Sequence, residues 1–156
     1  MKTSEHIIKQ ATLDDLNEIT ELLSQYLLFY QREKTKEAIN AFIRERFEKS
    51  ESIIFLAIDA SNNDRAIGLT QLYPMFSTLS LGKVWILNDL YINHDYRKSG
   101  LGKKLIDAAV TFAKDSGAIR LDLKTEPENK PAKNLYEKYG FSYDETYCNY
   151  SLKIVG

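Results

Sequence analysis

Residues that build disulfides and metal cages are nearly missing from this chain: it has one cysteine and two histidines in 156 residues. Cys148 alone cannot form an internal disulfide, which fits a reducing compartment and sets the cytoplasm as the expected location. Its setting, Tyr147-Cys148-Asn149-Tyr150, suits packing as a small hydrophobe better than nucleophilic chemistry. His6 and His94 are too few for a His-based metal cluster, so no metal is expected. Charge of one sign is lacking too. The 21 basic and 22 acidic residues leave a net charge of −1, with no broad field for nucleic acid or a membrane surface. No apolar run approaches the roughly 20 residues that span a bilayer. The opening residues, Met1 to His6, lack the apolar core of a signal peptide.

What the chain does have is alternating periodicity over a length that suits one domain, residues 1–156. A short strand at Ile7–Gln10 precedes Thr12-x-x-Asp15, a helix start close to a capping box. Leu16, Ile19, Leu22, Leu23, Tyr26 and Leu27 follow at helical spacing. Thr35 opens a second helix with Ile39, Phe42, Ile43, Arg46 and Phe47 along one side. Strands are expected at Ile53–Ile58, at Ala66–Tyr73 with Pro74 ending it, and at Val84–Ile92. A helix from about Gly100 to Asp115, a strand at Ile119–Leu123 and a helix from about Lys130 to Tyr139 come next. Phe141–Tyr143 and Tyr147–Ile154 read as a closing hairpin. The order predicts a mixed α/β domain whose strand-helix-strand unit from Val84 to Leu123 is parallel.

The most telling segment is the apolar strand Val84–Ile92 followed by Asn93-His94-Asp95-Tyr96 and then Arg97-Lys98-Ser99-Gly100-Leu101-Gly102. A glycine-spaced loop that opens a helix is an anion site. Its backbone approaches closely, and the first helical N–H groups have no partner within the helix. Arg97, Lys98, Lys103 and Lys104 add charge. Two familiar phosphate motifs are missing. The dinucleotide fingerprint needs a third glycine where Leu105 follows Lys103-Lys104, and no Gly-Lys-Ser/Thr closes a nucleotide P-loop.

The Arg97-Lys98-Ser99-Gly100-Leu101-Gly102 run instead resembles the Arg/Gln-x-x-Gly-x-Gly/Ala signature of the GCN5-related N-acetyltransferases. A second stretch, from Asn129 through Ala132, Leu135-Tyr136-Glu137-Lys138 and Gly140-Phe141, resembles that family's Asn-x-x-Ala-x-x-Leu-Tyr-Glu-Lys-x-Gly-Phe stretch. The opening Gln10-Ala11-Thr12-x-x-Asp15-Leu16 is similar to its usual start. The resemblance implies a single domain with a central mixed, mostly antiparallel sheet, parallel strands that splay, and flanking helices. It implies acetyl-CoA as co-substrate and a small-molecule or peptide amine as acceptor, with no nucleic acid or membrane partner. Homodimers are frequent in the family.

Acetyl transfer from a thioester needs a held pyrophosphate, a polarised carbonyl, a deprotonated amine and a protonated leaving thiolate. By resemblance, backbone N–H groups of Arg97, Lys98, Ser99, Gly100, Leu101 and Gly102 hold the pyrophosphate. The strand Leu90-Tyr91-Ile92 pairs with the pantetheine arm, and an N–H there can stabilise the oxyanion. Asn129 hydrogen-bonds the arm or caps its helix. Tyr136 is the candidate acid, a phenol within reach of a thiol pKa near 8.5. Asn88 and Asp89 stand where polyamine acetyltransferases carry a Glu-Asp pair. Asn88 cannot serve as a base, so Asp89, aimed by a bulge, or Glu126 is left for that task, with Asp89 equally readable as a structural hydrogen-bonder. Tyr26–Tyr30, Tyr73–Phe76, Trp85 and Tyr147–Tyr150 are candidate acceptor walls. The competing reading is an acyl-CoA-binding sensor with little catalysis.

Overall fold

The computed structural model describes residues 5–155, so the opening residues 1–4 of the leader reading lie outside the described residues. Two compact units divide after Lys124. Unit 1 is a five-stranded sheet in the order β1-β2-β3-β4-β5, with β1 at His6–Gln10, β2 at Ile53–Asp59, β3 at Arg65–Ser77, β4 at Gly82–Ile92 and β5 at Arg120–Leu123. The first four strands run antiparallel to their neighbours, and β5 joins β4 in parallel. Helices α1 (Leu16–Phe29) and α2 (Lys36–Glu48) separate β1 from β2, and α3 (Leu101–Asp115) connects β4 to β5. Unit 2 holds α4, Lys130–Tyr139.

Helix starts follow from local chemistry. Thr12 Oγ1 accepts the N–H of Asp14 at 3.3 Å, and Asp15 Oδ2 accepts the N–H of Thr12 at 2.9 Å, so two orphan donors are satisfied before α1 begins. Burial pushes the Asp15 carboxyl up, but the 2.8 Å bond from Lys9 and the Thr12 N–H outweigh it and hold the group below its ordinary value. Thr35 caps α2 through the N–H of Ala38 at 3.1 Å. Gly117, at φ +77°, ends α3 in the left-handed region expected after a helix.

The expected stripes pack as their spacing implies. Leu16, Ile19, Leu22 and Leu23 of α1 join Ile39 and Ile43 of α2 over Ile54, Leu56, Ile58 and Leu69 of the sheet. α3 buries Leu101, Leu105, Ile106, Ala109 and Ala113. Its Phe112 lies edge-on to Phe55 of β2 and Trp85 of β4, with ring centroids 5.9 and 5.1 Å away.

Three expectations need correction. Pro74 does not end β3, which continues to Ser77 against β4. The pairing of β2 with β3 stops at Ile53–Leu72, so Pro74 stands on a strand edge where its missing N–H costs no ladder bond. Residues 141–155 form no hairpin. Their alternation suits a strand, but a strand needs a hydrogen-bonded neighbour, and α4 is the only regular element described in unit 2. Cys148, in that stretch, is exposed rather than packed.

Gly68 of β3 lies opposite Ile92 of β4. A Cβ built there would lie 2.8 Å from Ile92 Cδ1 and 2.9 Å from the backbone oxygen of Tyr91. Because one obstacle is backbone, Gly68→Ala should destabilise the fold by about 1–3 kcal/mol. A urea titration checks this: the midpoint should fall with its slope unchanged.

Candidate functional site

In unit 1 the chain leaves β4 at Ile92 and passes through a 3-10 turn, His94–Tyr96, before α3. Asn93 anchors the entry. Its N–H donates to Ile67 O at 2.7 Å, its Nδ2 donates to Gln25 Oε1 at 3.2 Å, and its Oδ1 accepts the N–H of Asp95 at 3.0 Å. Tyr96 anchors the exit, with its hydroxyl donating to Asp59 Oδ2 at 2.7 Å. Ser99 Oγ donates back to the carbonyl of Tyr96.

Beyond this turn, Lys98 has φ +62° and Gly100 has φ +80°. Left-handed residues among ordinary ones turn backbone N–H groups toward a common concavity that favours an anion. Gly100 caps α3 with no side-chain bond, which leaves the first N–H groups of the helix to a ligand. A Cβ at Gly100 would meet nothing within 4 Å, so the space in front of the loop is open. Arg97, Lys98, Ser99 and Gly100 are exposed, Leu101 is buried and Gly102 is half-buried. The Arg97 side chain turns away from the concavity. Its Nε donates to Ile92 O at 3.2 Å, and its guanidinium lies 5.2 Å from the Phe29 ring and 5.8 Å from that of Tyr91. The loop thus presents backbone N–H groups suited to an anion, with Arg97 bracing it.

β4 and β5 pair from Val84–Arg120 to Leu87–Leu123 and then part. Among the described residues, Asn88 to Ile92 have no strand beside them on that edge, where the Ile92 carbonyl already accepts from Arg97 Nε. On the other edge Gln71 pairs with Asp89 but Leu72 pairs with Leu87, which makes Asn88 the extra residue of a β-bulge. Asp89 Oδ2 accepts from Gln71 Nε2 at 2.9 Å and from Asn88 Nδ2 at 3.1 Å. A carboxylate only accepts, so both amides must present nitrogen to it, and Gln71 Oε1 is left buried without a partner among the described residues. Gln71 was not anticipated, although a lone amide within the apolar run from Ala66 to Leu72 was a visible signal.

The bulge opens onto a cavity of about 520 Å³ lined by Phe42, Arg46, Ser50, Glu51, Tyr73, Pro74 and Asn88. Arg46 lies over the Phe42 ring at 4.5 Å and is tied to Glu45 at 2.6 Å, with Glu51 at 3.4 Å. Burial, aided by the charge of Asp89, pushes the Tyr73 phenol up to about 12, so it stays a neutral donor. Of the aromatic walls expected from sequence, Tyr73 lines this cavity and Trp85 does not. The Trp85 indole is buried under α3, donating to Ser116 Oγ at 2.9 Å, because its side chain falls on the opposite face of β4. Tyr26 packs on Tyr30 and Tyr91 at 5.1 and 5.8 Å. Tyr147 and Tyr150 are exposed and form no wall.

In unit 2, Asn129 caps α4 by accepting the N–H of Ala132 at 3.3 Å. Tyr136 is half-buried and packs against Phe141 at 5.9 Å. The Phe141 N–H closes onto the Tyr136 carbonyl at 2.9 Å.

Comparison with known proteins gives the family and the fold. Residues 16–141 match the model of the acetyltransferase (GNAT) family. The uncharacterized N-acetyltransferase YhfO of Bacillus subtilis (strain 168) is 38% identical over 147 residues, covering 94% of this chain and 97% of that protein. A solved structure described as a probable acetyltransferase superposes with a TM-score of 0.89 at 37% identity, over 96% of this chain and 99% of the other. The fold is also that of an aminoglycoside N-acetyltransferase in complex with CoA, at a TM-score of 0.80 and 20% identity over 98% of each chain.

Asp89 has a structural duty whatever its chemistry. Asp89→Ala should cost about 1–3 kcal/mol by leaving the buried Gln71 amide unpaired. Chemical denaturation monitored by tryptophan fluorescence checks that loss.

Proposed function

The chain belongs to the acetyltransferase (GNAT) family and uses acetyl-CoA as co-substrate; on that premise we propose that it acetylates a primary amine by direct attack within a ternary complex. The observation that carries the reading is the parting of β4 from β5 past Leu87–Leu123, which leaves a backbone edge beside the left-handed loop. An extended pantetheine arm can pair with Leu90-Tyr91-Ile92 while its pyrophosphate lies on the N–H groups of residues 97–102. A backbone N–H on that edge would also face the oxyanion as the carbonyl turns tetrahedral.

The cavity beside the bulge is the proposed acceptor side. Tyr73 offers an aromatic ring, Glu51 lines the cavity as a carboxylate paired with Arg46, and the Asp89 carboxylate stands next to the lining residue Asn88. That chemistry suits a cationic amine, either a small polyamine-like molecule or a lysine side chain or amino terminus. Asp89 draws and orients the ammonium, which loses its proton through water. Asn88 holds the carboxylate through its amide and is a positioning residue, since an amide cannot take the proton usefully. The freed amine attacks the thioester carbon, the C–N bond forms, and the C–S bond breaks. Tyr136 protonates the departing thiolate, and Asn129 starts the helix that carries it.

The two units are read as one catalytic domain, because the family match runs through the junction after Lys124. A homodimer and a cytoplasmic location belong to the same reading, the first by family likeness and the second by the single cysteine. No helix among the described residues is long and apolar enough to cross a membrane.

A panel of amines screened for thiol release from acetyl-CoA tests the function. At least one primary amine should react with intersecting, not parallel, double-reciprocal lines, since no acetyl-enzyme forms. Tyr136→Phe should lower kcat by about a hundredfold while leaving the KM for acetyl-CoA near wild type. Tight acetyl-CoA binding with no thiol release from any amine would instead favour an acyl-CoA sensor.

A further inference from the structure

Tyr96 is outside the glycine signature, and nothing in the reaction chemistry calls for it, yet it has the best-defined side-chain bond in the phosphate loop. Its hydroxyl donates to Asp59 Oδ2 at 2.7 Å, linking the residue before Arg97 to the end of β2, 37 positions away in sequence. Asp59 is itself fixed, being only 4% exposed. Its Oδ1 accepts the Ser61 N–H at 3.0 Å and the Ser61 hydroxyl at 2.6 Å. The Tyr96 ring is braced edge-on by His6 of β1, 5.8 Å between centroids. Its backbone is also engaged: the N–H donates to Asn93 O at 2.9 Å, and the carbonyl accepts from Ser99 Oγ. Two residues later the chain enters its left-handed stretch at Lys98. Tyr96 therefore ties the loop to the end of β2, and Arg97 after it ties to the Ile92 carbonyl of β4, just before the left-handed residues begin.

We propose that Tyr96, held by Asp59, is a positioning residue for the acetyl-CoA pyrophosphate: it sets the direction of the loop N–H groups without touching the ligand. The inference rests on reading residues 97–102 as the pyrophosphate seat. The physical reason is preorganisation. A left-handed loop with exposed residues has alternatives in the free protein, and each populated alternative lowers apparent affinity by the fraction of time the seat is unformed. A bond from a neutral phenol to an ionised carboxylate is among the stronger single restraints a side chain can supply. Hydrogen bonding from Ser61 and then Tyr96 holds the Asp59 carboxyl below its ordinary value, so it stays ionised through the neutral range.

The test is calorimetric binding of CoA and, in parallel, of pantetheine, which lacks the phosphates, with no acceptor amine required. Tyr96→Phe should weaken CoA binding about tenfold, the worth of one charge-assisted hydrogen bond, and leave pantetheine binding within about twofold. Asp59→Ala should do the same, and the double variant should be no worse than either single one, because both remove one interaction. Folding of each variant is checked by thermal unfolding, and Asp59→Ala stands in if Tyr96→Phe does not fold. Equal CoA affinity in wild type and a folded Tyr96→Phe would overturn the proposal, as would equal losses for CoA and pantetheine or additive losses in the double variant. Failure of the wild-type protein to bind CoA would sink the pyrophosphate-seat reading itself, and the inference with it.

Discussion

Among the described residues β5 pairs with the sheet over four positions, Val84–Leu87 against Arg120–Leu123, and the rest of the candidate site depends on where that pairing stops. Backbone polar groups at a strand edge need a partner, whether strand, water or ligand. Past Leu87, Asp89 to Ile92 of β4 stay paired with β3 while, among the described residues, no strand occupies their second edge. The bulge at Asn88 falls at the same place, so the strand changes its register on one edge just where it loses its neighbour on the other.

The electrostatics follow this backbone plan. Asp89 is gripped by two amide donors, and burial, with the nearby Asp89 charge adding to it, holds the Tyr73 phenol protonated. Arg46 of α2 is balanced by Glu45 and Glu51, leaving the cavity with both signs of charge and an aromatic wall.

Much of this was legible beforehand because it rests on local rules. The helices carry apolar stripes at their own period, Thr12 and Thr35 are cap residues, and Gly100 and Gly117 occupy the left-handed positions where glycine is favoured. The order of the two motifs pointed to the family before any coordinates. What was hidden is what pairing decides. Pro74 reads as a stop unless one knows that β2 has already ended beside it. Trp85 reads as a binding wall unless the face of β4 that meets α3 is known. Alternation in residues 147–154 marks a capacity to pair and names no partner. The Asn88 bulge was legible only as a possibility, since one extra residue changes the count between strands and leaves no mark in composition.

The posture of Arg97 has a consequence for ionic strength. Its charge is spent on the Ile92 carbonyl and on the rings of Phe29 and Tyr91, and Lys103 pairs with Asp107 at 3.2 Å. What remains at the seat is chiefly a set of peptide dipoles fixed by the fold. Mobile cations lose their grip on an anion as salt screens them over a Debye length of about 8 Å at physiological strength. Peptide N–H groups in direct contact act at about 3 Å, well inside that length. On the proposed reading of residues 97–102 as the pyrophosphate seat, binding of the anion is expected to vary little with salt, and the lysines around the loop to affect chiefly how fast it arrives.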